Sequence, residues 1–124
     1  MIRAGKNYDE SVKLAQEKAR NNNWCVISDT SYEGYTEIPK HVMNGYEVMA
    51  YEAVIQQNLK PTHVFLQTGV GSLAAGVTAN LFRNLDYAPR IILVDPENAD
   101  CWVQSIKHQK PVVCEGSLDT IWRV

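Results

Sequence analysis

Val64-Phe65-Leu66-Gln67-Thr68-Gly69-Val70-Gly71-Ser72-Leu73-Ala74-Ala75-Gly76 is the stretch that decides how this chain is read. A buried-type apolar strand runs into two glycines, then into small residues, then into a helix. Glycine allows positive φ and lets the backbone approach a ligand closely. The N–H groups freed in such a turn, with the positive end of the helix dipole, suit a small anion such as phosphate. Ser72 can add a hydroxyl donor, and Ala74, Ala75 and Gly76 let the helix lie close on the sheet. No Gly-Lys-Ser/Thr follows, so this is not a P-loop. The third glycine falls too far along for a dinucleotide fingerprint. The spacing alone also allows a tight strand-to-helix turn with no ligand.

Outward from the turn, helix-like and strand-like pieces alternate. His63–Gln67 and Arg90–Val94 read as strands, the second ending at Asp95-Pro96. Leu73 to about Leu85 reads as the helix between them. Upstream, Asn7 is a candidate N-cap for a helix over Tyr8–Arg20, where Tyr8, Val12, Ala15 and Ala19 recur at helical spacing. Asn21-Asn22-Asn23 stops it. Trp24–Ser28 reads as a short apolar strand ending at Asp29. Pro39 suits the first turn of a helix that continues to about Gln57. A fourth helix is expected through Cys101 and Ser105, and Pro111–Cys114 reads as a last short strand. Apolar strands separated by helices predict an α/β fold, a mostly parallel sheet with helices on both faces in three αβα layers. Ligands of such sheets bind at the carboxyl ends of the strands. Asp29, the Gly69 turn and Asp95 all sit at such ends.

Composition narrows the class. The chain has 124 residues, the size of one ordinary domain, and 45% are hydrophobic. A net charge of -2 gives no electrostatic case for nucleic acid or an anionic membrane. No apolar run approaches the ~20 residues that span a bilayer, and Met1–Lys6 lacks the apolar core of a secretion signal. Cys25, Cys101 and Cys114 match neither a disulfide framework nor a zinc spacing, and are read as reduced thiols of a cytoplasmic protein. His41, His63 and His108 form no metal pair with a near neighbour, so no metal site is expected.

Asp29 is the second candidate for chemistry. It follows an apolar run and precedes Thr30, Tyr32, Glu33 and Tyr35, all able to hydrogen-bond. A carboxylate at a strand end can act as a general acid or base, or it can simply begin a turn. Asp95 carries the same two readings, turn residue or ligand contact.

Taken together, several motifs resemble the diaminopropionate ammonia-lyases. These are pyridoxal-phosphate enzymes of the tryptophan-synthase-β-like, fold type II superfamily. The motifs, in order, are Asn7–Val12, Asp29-Thr30-Ser31-Tyr32-Glu33-Gly34-Tyr35, Ile38-Pro39, Met43-Asn44-Gly45-Tyr46, Pro61–Gln67, Gly69-Val70-Gly71-Ser72, Val94-Asp95-Pro96 and Ala99-Asp100-Cys101. They cover nearly the whole chain. The glycine loop alone indicates the superfamily, whereas the Asp-Thr-aromatic-Glu-Gly-Tyr stretch leading into Ile-Pro is more particular to the ammonia-lyase. The resemblance implies that Gly69, Val70, Gly71, Ser72 and Leu73 hold the phosphate of pyridoxal 5'-phosphate. It implies an acid/base role for Asp29, and α,β-elimination of ammonia from 2,3-diaminopropionate to give pyruvate. It places residues 1–36 at the end of the family's smaller domain and residues 37–124 in the first part of the larger, cofactor-binding one, though they can behave as one compact domain here.

The resemblance also implies pieces that this sequence lacks. The family's cofactor lysine lies in an upstream Ser-Phe-Lys-like segment. Lys6, Lys13, Lys18, Lys40, Lys60, Lys107 and Lys110 have no such context. The upstream Asp-Gly-Asn-His-type stretch and the region that contacts the pyridine nitrogen are missing as well. The chain is therefore expected to be a central fragment, inactive alone, that self-associates, as a dimer first of all, to cover its cut sheet edges. The other readings are a free-standing anion-binding or oligomer-forming α/β module without catalysis, and one half of a split enzyme whose partner supplies the lysine.

Overall fold

A computed structural model describes residues 4–6 and 8–113. The elements are α1 (Tyr8–Asn22), α2 (Glu37–Ala50), a π-helical turn (Tyr51–Ile55), β1 (His63–Gln67), α3 (Ser72–Asn84), β2 (Arg90–Val94), a 3-10 turn (Glu97–Ala99) and α4 (Cys101–His108). The N-cap expected at Asn7, and Cys114 with the end of the expected last strand, lie outside the described residues.

β1 and β2 pair in parallel, His63 opposite Arg90 through Gln67 opposite Val94. The crossover between them is α3, which returns the chain to the start of the sheet. Alternation along β1 sends Val64 and Leu66 to one face and Phe65 to the other. The first face meets the core, Ala50, Leu66, Ala74, Val77 and Leu81, with Val54, Val64, Leu73, Leu85, Ile91 and Leu93 packed against it. Leu81 is fully buried, a gain of ~1.5–3 kcal/mol by the usual transfer scale. Phe65, on the other face, is 68% exposed. The described helices thus cover one face of the sheet, by way of α2 and α3.

α2 and α3 cross closely because α3 carries Gly76 at the contact. A Cβ there would run into the Met43 carbonyl of α2. Arg83 of α3 also pairs with Glu47 of α2, Nη1 to Oε2 at 2.6 Å. The helix expected to run unbroken to Gln57 instead widens at Tyr51, where the Gln56 N–H reaches back to the Tyr51 carbonyl at 2.8 Å. That five-residue closure defines a π turn.

α1 ends where the asparagines were expected to stop it. Asn23 takes φ 55, and the Trp24 N–H donates to the Ala19 carbonyl at 2.8 Å, the pattern of a left-handed helix terminus. Trp24–Ser28, however, is not a strand. No strand pairs with it among the described residues, and Ile27 is 78% exposed. A side chain takes the place of a neighbouring strand at two of its backbone groups: the Tyr35 hydroxyl donates to the Val26 carbonyl at 2.9 Å and accepts from the Ser28 N–H at 3.0 Å. Tyr32 stacks on Tyr35, ring centroids 4.7 Å apart. Pro111–Val113 is likewise irregular rather than a strand.

Candidate functional site

β1 delivers the chain to the glycine turn through Thr68, which is only 1% exposed. The Thr68 N–H donates to the Val94 carbonyl at 3.0 Å, which extends the strand pairing by one residue. Its hydroxyl donates to Asp95 Oδ1. Gly71 then caps α3 with φ 93. That left-handed conformation disfavours any side chain, and a Cβ on Gly71 would collide with the Trp102 ring. A Cβ on Gly69 would meet nothing within 4 Å, so the turn opens to free space at that residue.

The backbone amides of this turn are the feature that matters chemically. Among the described residues, the N–H groups of Gly69, Val70, Gly71, Ser72, Leu73 and Ala74 have no acceptor. The next one, Ala75, closes the first helical bond to the Gly71 carbonyl at 2.9 Å, and no side chain caps the helix. Four unpaired amides are usual at a helix start, here Gly71 to Ala74; the run begins two residues earlier, at Gly69. Such a cluster at the positive end of a helix dipole suits a phosphate, and the open side at Gly69 leaves room for one.

Asp29 lies beside this turn. Its carbonyl accepts the Ser72 hydroxyl at 2.8 Å, and its Oδ2 accepts the Tyr46 hydroxyl at 3.3 Å. Burial, and then the Asp29 charge, push the Tyr46 phenol above its ordinary value of 10.0. The expected hydroxyl donor Ser72 therefore spends its proton on Asp29, leaving the backbone as the donor set for an anion. Sequence spacing brought forward Asp29 and the turn but gave no reason to join Tyr46 to Asp29, 17 positions apart.

Asp95 resolves as a connector. Besides Thr68 it takes the Trp102 N–H on Oδ2 at 3.1 Å, so it caps α4 from the end of β2. Burial lifts its carboxyl above the ordinary 3.8, against the lowering effect of the Trp102 and Val103 amides. Nothing in the sequence marks Trp102 for this place, because a tryptophan early in a polar helix carries no positional signal.

The family profile described as "Pyridoxal-phosphate dependent enzyme" matches residues 1–123, and the chain belongs to that family. Within it, diaminopropionate ammonia-lyase of Escherichia coli (strain K12) is 44% identical over 121 residues, covering 93% of this chain and 30% of that enzyme. The Salmonella typhimurium (strain LT2) enzyme of the same name is 38% identical over 122 residues, with the same coverage. Crystal structures of the Escherichia coli enzyme agree. The holo form superposes with TM-score 0.77 at 37% identity, over 93% of this chain and 31% of that one. The D-serine complex gives TM-score 0.77 at 38% identity with the same coverage. The described fold is thus part of a fold type II domain, and the chain spans 30% of the length of these ammonia-lyases.

Proposed function

We propose that this chain is a segment of a pyridoxal-phosphate-dependent diaminopropionate ammonia-lyase, and that its glycine turn holds the cofactor phosphate. The observation that carries this reading is the run of unpaired amides from Gly69 to Ala74 at the start of α3. In it Gly69, Val70, Gly71, Ser72 and Leu73 donate backbone N–H groups to the phosphate. When bound, the cofactor supplies the electron sink for eliminating ammonia from 2,3-diaminopropionate to give pyruvate.

Asp29 is the residue of this chain proposed to move a proton. The Ser72 hydroxyl fixes its backbone beside the turn, and the Tyr46 hydroxyl holds one carboxylate oxygen. The Asp29 carboxylate thus sits in a defined place at the edge of the turn. Lysine is the residue type that anchors the cofactor covalently in enzymes of this kind, and no lysine here has the required sequence context. The chain alone is proposed to bind without catalysing.

The test is to add pyridoxal phosphate to the purified chain, follow visible absorbance through dialysis, then reduce with borohydride. No band should survive dialysis. A retained band that borohydride fixes to one lysine would overturn the reading that anchoring lies outside this chain.

Residues 1–36 end the smaller domain and residues 37–124 begin the larger one, in keeping with a core cluster drawn wholly from residues 50–93. The chain pairs with itself, because Phe65, Trp24 and Ile27 stand exposed; light scattering should show a dimer or larger, and a monomer would refute it. It works in the cytoplasm; among the described residues no helix is long and apolar enough to cross a membrane.

A further inference from the structure

α4 reaches the glycine turn through Trp102. The indole Nε1–H donates to the Gly69 carbonyl at 3.2 Å, and ring atoms occupy the place where a side chain on Gly71 would stand. Trp102 is itself held in place. Its backbone N–H donates to Asp95 Oδ2 at 3.1 Å, and the other oxygen of Asp95 accepts the hydroxyl of buried Thr68, the residue before Gly69. A closed ring of bonds therefore runs from Thr68 to Asp95, to Trp102, to Gly69 and back along the chain.

This ring fixes one peptide. None of the described peptide bonds is cis. In a planar trans peptide the carbonyl of one residue and the N–H of the next point in opposite directions. Holding the Gly69 carbonyl on the indole therefore aims the Val70 N–H away from α4. The peptide has glycine on its N-terminal side, where rotation meets little steric resistance. Turned over, it would present a carbonyl oxygen where the anion needs a donor.

We infer that Trp102 is a positioning residue for the anion site: its indole N–H locks the Gly69–Val70 peptide so that the Val70 amide serves as a phosphate donor. This rests on the anion reading of the turn given above.

The experiment is an amide NMR titration of the full chain with inorganic phosphate. It compares wild type, Trp102→Phe, and Trp102→benzothienylalanine, which keeps both rings and lacks only the N–H. Both variants should bind phosphate about tenfold more weakly, the equivalent of one lost charge-assisted donor. They should also lose the phosphate-induced shift of the Val70 amide while keeping those of Ser72 and Leu73, a selective loss that a general packing defect would not produce. If Trp102→Phe fails to fold, the isosteric variant decides. Wild-type affinity with a full Val70 response in the variants would overturn the role of Trp102 alone. No response at any turn amide of the wild type would overturn the anion reading itself, and this inference with it.

Discussion

The Ser72 hydroxyl donates to the Asp29 carbonyl at 2.8 Å, joining residues 43 positions apart. One short bond thus ties the irregular segment after α1 to the first turn of α3. It sets the proposed proton-transfer residue against the proposed phosphate cradle. It also means that an anion at the turn depends on backbone donors, because a hydroxyl has a single proton to give.

Ser72→Ala should therefore separate stability from binding. Losing the bond to Asp29 costs about 1 kcal/mol of unfolding free energy, read by urea denaturation. Phosphate affinity should be unchanged, since the Ser72 amide remains. A clear loss of affinity would show that the hydroxyl turns to the anion.

Tyr35→Phe should destabilise the chain without touching the turn. The hydroxyl serves the Val26 carbonyl and the Ser28 N–H at once, and leaving both unpaired costs about 1–3 kcal/mol. Hydrogen exchange at the Ser28 amide should quicken in the variant. Unchanged protection would show that this bridge is not what orders the segment.

The two glycines of the turn should respond differently. Gly71→Ala forces a side chain into the Trp102 ring at φ 93, so it should lower thermal stability and abolish phosphate binding together. Gly69→Ala meets no protein atom within 4 Å. It should leave stability nearly intact while the added methyl obstructs the open side of the turn and weakens phosphate binding. Equal stability of the two variants would contradict the described packing of Trp102.

Asp95 sets a pH dependence whose sign is fixed. Burial raises its folded pKa above 3.8, so the folded chain binds the proton more tightly than the unfolded one. The stability this group adds is present below pH 3.8 and is lost as pH rises through the raised folded value. Comparing thermal midpoints of wild type and Asp95→Asn cancels every other group. Relative to the variant, wild type should lose stability as pH climbs through that window. A difference that does not vary with pH would contradict it.

Much of this arrangement is legible in the sequence because it is local. Strand runs such as His63–Gln67 and Arg90–Val94, the helix start at Ser72 and the stop at Asn23 depend on near neighbours and backbone preferences. The resemblance to ammonia-lyases located the turn and Asp29 by motif. What escaped depends on partners far along the chain. Trp24–Ser28 has a strand's composition, but a strand needs another strand beside it, and Tyr35 takes that place. Ser72 looked like an anion donor until the Asp29 carbonyl claimed its proton. Trp102 and Tyr46 carry no spacing rule that ties them to Gly69 and Asp29. The helices were expected on both faces of the sheet; exposed Phe65 marks the face that the described helices leave open.

The Gly69–Leu73 amides are proposed to hold the phosphate of pyridoxal phosphate. The measurement that tests it most directly is an amide NMR titration of the wild-type chain with pyridoxal phosphate, with pyridoxal lacking the phosphate run in parallel. Saturable shifts are expected at Gly69, Val70, Gly71, Ser72 and Leu73 with the phosphorylated compound and none there with pyridoxal. The same response to both, or no response to either, would contradict it.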